Sequence, residues 1–210
     1  MAERPPAFAT DRGTSLYYEQ RAAEYDDWYQ GTGLFQQRER PGWEEDVQRL
    51  VGFVSALQPA RTLDVACGTG FLTRHLSGLV VGLDQSEAMV RIAQSRLPAG
   101  IAIVGDALEL PFVDGTFERV FTAHFYGHLS SSERTRFLSE ARRVAAELVV
   151  VDSAPRADRP AEHWDQRVLK DGSTHAVYKR YLTADDLAQE IGGRPVFESR
   201  WFVAAVASGE

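Results

Sequence analysis

The segment RTLDVACGTG, from Arg61 to Gly70, constrains the fold more than any other part of this chain, because an apolar strand carrying Asp64 opens directly into a glycine turn. Leu63, Val65 and Ala66 suit a strand buried on both faces, and Gly68 and Gly70 let backbone approach a ligand before a helix predicted over 71–76. A second strand, VVGLD, ends at Asp84, and a third, IAIVGD, ends at Asp106. Three successive strand ends, each with a carboxylate and separated by helical patterns, imply a parallel sheet whose strand ends gather on one side.

The remaining pattern extends that sheet. Helices are predicted over 17–29, where Tyr18, Ala22, Tyr25 and Tyr29 share a face, over 43–57, over 87–96 with Ser86 as cap, and over 132–145. Strands are predicted over 118–123 and 147–153, then a short strand over 175–182, a helix over 184–191 and a last strand over 201–207. The AspGly pair in VLKDGST signals a tight hairpin turn. The expected fold is α/β: a Rossmann-like, mainly parallel seven-stranded sheet with helices on both faces and an antiparallel C-terminal edge. With 210 residues, one domain over 16–210 is expected, its residues 16–58 forming a helical lid. Residues 1–15, rich in Pro, Thr, Arg and Asp and without periodicity, are expected to be a mobile arm.

Charge and composition narrow the partners. A net charge of −7 with no strongly basic third argues against nucleic acid. No run approaches the roughly eighteen apolar residues of a membrane span, and the start lacks the marks of a signal peptide, so a cytoplasmic location is expected. One cysteine, Cys67, permits neither an intrachain disulfide nor a cysteine metal cluster, and no metal site is expected. Oligomeric state is left open.

Asp64, just before the glycine turn, disfavours an anionic pyrophosphate and favours a cationic ligand. The segments LDVACGTGFLT, GLDQSEAMV and GDALELPFVDGTFERV resemble the first three signature regions of class I S-adenosylmethionine-dependent methyltransferases, in particular the branch with quinone C-methyltransferases and glycine N-methyltransferase. A weaker likeness reaches Y-x-x-x-A-x-x-Y-D, from Tyr18 to Asp26, and puts Tyr25 at the cofactor. The resemblance implies S-adenosylmethionine as cofactor, with Asp64, Ala66, Gly68 and Gly70 around its methionine part and Asp84 on both ribose hydroxyls. It also implies Gln85 and Met89 along the adenosine, Asp106 and Ala107 at the adenine, and the backbone carbonyls from Thr122 to His124 at the ammonium. Ala66 stands where the family often has glycine. A nicotinamide oxidoreductase and a non-catalytic cofactor-binding protein are the rival readings.

Methyl transfer needs in-line alignment and exclusion of water, and no base is obligatory. For a hydroxyl acceptor, His124 and His128 in AHFYGHL stand just after the fourth strand, either as proton acceptors, with His128 preferred, or as packing residues. Tyr17, Tyr18, Tyr25 and Trp28, with Trp164 and Tyr178 opposite, suit a flat or apolar small-molecule acceptor or an ordinary core. His163, Arg167, Lys179 and Arg180 are expected on a solvated face, with an anion-reading role as the alternative.

Overall fold

The computed structural model describes residues 11–209. Its first helix, α1 (Arg12–Arg21), starts earlier than expected because Asp11 caps it, accepting from the Thr14 amide at 2.9 Å. Residues 11–15 are thus a cap and a first helical turn rather than part of a mobile arm, while the rest of that expected arm lies outside the described residues. The helix expected over 17–29 is interrupted by a 3-10 turn at Ala22–Glu24 and resumes as α2 (Asp27–Gln30), which stops at Gly31 in the left-handed region (φ 69°). The tyrosine file survives the break: the Tyr18 and Tyr25 ring centroids are 6.4 Å apart, as are those of Tyr25 and Tyr29.

The central unit runs α3 (Trp43–Ser55), β1 (Thr62–Val65), β2 (Val80–Asp84), α4 (Glu87–Arg96), β3 (Ile101–Val104), β4 (Phe117–Ala123), α5 (Ser131–Val144) and β5 (Ala145–Ser153). It continues through β6 (Glu162–Val168), β7 (Thr174–Arg180), α6 (Ala184–Ile191), β8 (Arg194–Glu198) and β9 (Phe202–Ser208). The seven-stranded sheet has the order β3-β2-β1-β4-β5-β9-β8, parallel from β3 to β5 and antiparallel at β9 and β8. Helices cover both faces: Phe137 of α5 and Leu187 of α6 pack in one core, Leu50 and Val54 of α3 in the other. Each of these fully buried side chains contributes roughly 1.5–3 kcal/mol of transfer free energy.

Three elements here depart from the sequence reading. The strand expected over 175–182 is β7, which leaves the main sheet and pairs with β6 in a hairpin turning at Asp171 and Gly172. The sheet edge is instead β8, a mostly exposed strand containing Pro195, where neither apolar run nor alternation marks a strand and where an edge tolerates proline. The helix expected over 71–76 shrinks to a 3-10 turn at Thr73–His75 that ends with Leu76 in extended conformation.

All four residues of β1 are buried, and its neighbours β2 and β4 lead away in opposite directions, which opens a crevice at the carboxyl ends of these strands. The N-terminal segment is bound across it. Glu19 accepts from Ser86 Oγ at 2.6 Å and from the Ala88 amide at 3.2 Å, and Asp26 accepts from Thr69 Oγ1 at 2.5 Å and pairs with Arg96 at 2.6 Å. Ser86 also caps α4, accepting from the Met89 amide at 3.1 Å.

Candidate functional site

The crevice, open to solvent, spans about 560 Å³ between the ends of β1, β2, β3 and β4. Its floor is the turn after β1, where Ala66 (φ 58°) and Gly68 (φ 55°) are both left-handed. A Cβ on Gly68 would lie 3.4 Å from the Tyr25 ring, so glycine here lets the aromatic close over the turn. Asp84 ends β2 beneath it. One carboxylate oxygen accepts from the Gly68 amide and the other from the Ser86 amide, each at 2.9 Å. Burial raises its pKa against the pull of these amides. After β3, Asp106 is exposed and accepts from the Leu108 amide at 2.8 Å.

Of the residues singled out in the sequence, Tyr25, Ala66, Gly68, Asp84, Gln85, Asp106, Ala107 and His124 line this one crevice. Tyr18, Leu83, Gly105, Ala123 and Phe125 line it too; of these Tyr18 stands out in the sequence as part of the aromatic segment and Ala123 as part of the carbonyl run from Thr122 to His124. Four others take different places. Gly70 packs on α4, where a Cβ would stand 3.2 Å from Ala93 Cα. Met89 is fully buried under the α4 cap, and Thr122 is fully buried with its hydroxyl donated to the Val65 carbonyl at 2.8 Å. Asp64 lies behind the turn, in a small recess it shares with Tyr25, Tyr29, Ala66 and Phe71.

Asp64 accepts from Thr73 Oγ1 at 2.6 Å, while its other oxygen is buried without a partner among the described residues. Burial pushes its pKa up to about 8; the Thr73 bond opposes this and the Asp84 charge adds to it. A raised carboxyl binds its proton more tightly in the folded state, so stability falls as pH rises from the ordinary carboxylate range toward about 8. Asp64→Asn keeps an acceptor for Thr73 and removes the buried charge. It is expected to gain about 1 kcal/mol or more of stability at alkaline pH and to flatten that slope in urea titrations.

A second cavity, of about 1230 Å³, lies beside the crevice between the N-terminal segment, the loop after β5 and the β6–β7 hairpin. Tyr18, Tyr25 and His124 line both spaces and form the junction between them. His124 is left-handed (φ 58°) and buried against Trp28, Tyr29 and Phe202, with neither ring nitrogen partnered among the described residues. Burial lowers its pKa to about 3, so its imidazole is uncharged near neutrality. His128 lines only the second cavity. Its Nδ1 lies 2.5 Å from the Tyr178 carbonyl, and because a carbonyl only accepts, this nitrogen carries the proton. Burial, followed by Lys179 and Arg167, holds its pKa well below the usual histidine range.

The walls of the second cavity differ from the apolar lining expected. Along β6 the exposure alternates, so His163, Asp165 and Arg167 turn inward and Trp164 turns out to solvent, where its ring meets Tyr178 edge-on at 5.8 Å. Tyr17 is buried in the core against Tyr18 and His175. Arg167 and Lys179 face the cavity instead of solvent, whereas Arg180 pairs with Glu190 at 2.5 Å.

Residues 62–147 match the model of a methyltransferase domain. The chain is 38% identical over 118 residues to a demethylmenaquinone methyltransferase of Thermotoga maritima, a match covering 51% of this chain and 50% of that protein. Over this stretch the chain is similar to methyltransferase domains. The chain spans about half the length of that curated relative. Across nearly the whole chain, the structure titled "DhpI-SAM-HEP complex" superposes with a TM-score of 0.70 at 22% identity, covering 92% of this chain and 95% of that one. The [4+2]-cyclase SpnF superposes with a TM-score of 0.61 at 20% identity, covering 91% of this chain and 74% of that one. The fold is thus shared with a protein titled as a cyclase, and fold alone does not fix the chemistry. No helix among the described residues is long and apolar enough to cross a membrane.

Proposed function

We propose that this chain is an S-adenosylmethionine-dependent methyltransferase acting on a small-molecule acceptor. The observation that carries the reading is the pair of joined cavities, one lined by the strand-end residues Asp84, Gln85, Asp106 and Ala107, the other meeting it at Tyr18, Tyr25 and His124. The residues fit the cofactor's charge. Asp64 keeps a buried carboxyl oxygen without a partner among the described residues in the recess behind the turn, where a bound cation would favour its ionised form, and each Asp84 oxygen keeps a lone pair for a ribose hydroxyl. Bound there, S-adenosylmethionine supplies an activated methyl group. Tyr25, closing on Gly68, shields the crevice from water, and the junction residues confine the acceptor to one line of approach.

Neither histidine is poised as a base at neutral pH, since burial depresses both. The preference for His128 as proton acceptor gives way to a positioning role through its bond to Tyr178. His128→Ala is expected to cost about 1–3 kcal/mol of stability, by leaving a buried carbonyl unpaired. The wild-type rate is expected to show no histidine limb near pH 6.5 beyond the acceptor's own ionisation. Stopped-assay pH profiles of wild type and variant check this.

The reading is tested by calorimetry with S-adenosylhomocysteine and with NAD, followed by transfer from S-adenosylmethionine to a panel of hydroxyl, amine and acid acceptors read by mass spectrometry. Binding of NAD alone favours an oxidoreductase. Binding of S-adenosylhomocysteine without transfer to any acceptor favours a non-catalytic binder.

A further inference from the structure

Seven cationic side chains line the second cavity, against the one lining carboxylate of Glu39. Four of them have a carboxylate partner in the wall: Lys179 with Asp152, Arg156 with Asp158 at 2.7 Å, and Arg159 and Arg167 with Asp165 at 2.6 and 3.1 Å. The other three, Arg21, Arg38 and Arg40, have none among the described residues. Arg21 donates to the Tyr17 hydroxyl at 2.9 Å and lies over the Tyr25 ring, and Arg40 donates to the Trp28 carbonyl at 2.8 Å and lies over Trp43. Arg38 lies over Phe35. These contacts hold the guanidiniums in place and leave their charge unanswered.

The excess is local, since the whole chain carries −7. Partial burial lowers the Arg40 pKa to about 10, with Arg38 and Arg156 adding to the effect, as expected where cations are gathered without a counter-charge. Guanidinium forks match the oxygens of a phosphate or carboxylate in paired hydrogen bonds, and an anion placed among them relieves their repulsion.

We infer that the methyl acceptor carries a doubly charged oxyanion head group and that Arg21, Arg38 and Arg40 hold it in the second cavity. This deepens the methyltransferase reading and rests on it. With its charged end fixed among the arginines, the acceptor extends toward Tyr18, Tyr25 and His124, where the two cavities meet. The cations then act as an anchor that selects the acceptor and sets its approach.

The experiment is calorimetric titration of the protein, with and without saturating S-adenosylhomocysteine, by inorganic phosphate and by succinate at an ionic strength fixed with chloride. Saturable binding of at least one dianion is expected, and which of the two binds tells a phosphoryl head from a dicarboxylate. The Arg38→Gln/Arg40→Gln variant is expected to weaken it about tenfold or more with S-adenosylhomocysteine affinity unchanged within about twofold, while the Lys/Lys variant at the same positions retains part of it. Arg38 is exposed, so Arg38→Gln alone, with a loss of about threefold or more, decides the matter if the double variant does not fold. No saturable binding of either dianion, or equal binding in wild type and the glutamine variants, overturns the inference. Dianion binding that is lost in the variants, in a protein that ignores S-adenosylhomocysteine, keeps the anion site and sinks the methyltransferase reading instead.

Discussion

Lys179→Met is expected to cost about 3–5 kcal/mol of folding stability, because it leaves the Asp152 carboxylate buried and unpaired. Asp152 is fully buried on β5, and its two oxygens accept from Lys179 Nζ on β7, from the Gly127 amide at 2.7 Å and from the Ser153 amide at 2.7 Å. Burial opposes its ionisation, yet Lys179 and the histidines beside it leave its pKa below the usual value. A depressed carboxyl contributes stability that is present above the ordinary carboxylate range and lost as pH falls through the folded-state value. Without the lysine, burial prevails and the carboxyl titrates at higher pH, so acid protonates it and relieves the variant. Urea unfolding is therefore expected to show the largest gap from wild type near neutrality and a narrower one near pH 4 to 5. A loss below about 1 kcal/mol at pH 7 contradicts a dry, paired carboxylate at this position.

Asp84→Ala is expected to weaken S-adenosylhomocysteine by about 2 kcal/mol, roughly thirtyfold, since it deletes the carboxylate proposed for the ribose hydroxyls. The structure adds a second source of loss, because the same side chain ties the Gly68 amide to the end of β2. Asp84→Asn separates the two. It keeps an acceptor for one amide while losing the charge, and an intermediate affinity is expected. Affinity within about twofold of wild type for both variants, by calorimetry, contradicts the assignment of the strand-two carboxylate.

Much of the crevice was legible in the sequence because its determinants are local. The strand, turn and cap signals around Asp64, Asp84 and Ser86 each sit within a few residues, and the helix predicted over 87–96 matches α4. Gly70 and Met89, which the resemblance sets at the ligand, pack against α4 and in its buried first turn, a placement that depends on where Ala93 and the core lie. The second cavity was not legible as a cationic site. Arg38 and Arg40 sit in a stretch without periodicity, and Arg167 and Lys179 meet them only because the hairpin folds back, with Lys170 paired to Asp27 at 2.6 Å. The alternation of β6 was a usable signal: in HWDQR the odd-numbered positions share one face, so His163, Asp165 and Arg167 turn inward together.

Every cation of the second cavity, from Arg21 to Lys179, lies outside residues 62–147, the stretch that matches the methyltransferase model. The strand ends proposed for the cofactor and the cations proposed for the acceptor therefore lie on different stretches of sequence. On that proposal, substitutions at Arg38 and Arg40, or at Arg156 and Arg159, retune which molecule enters, whereas Glu19, Tyr25 and Asp26 of the same N-terminal stretch are tied to the strand ends and have to be kept. Asp152 limits that freedom, because it clasps β7 to the turn after β4 and must travel with the lysine it neutralises.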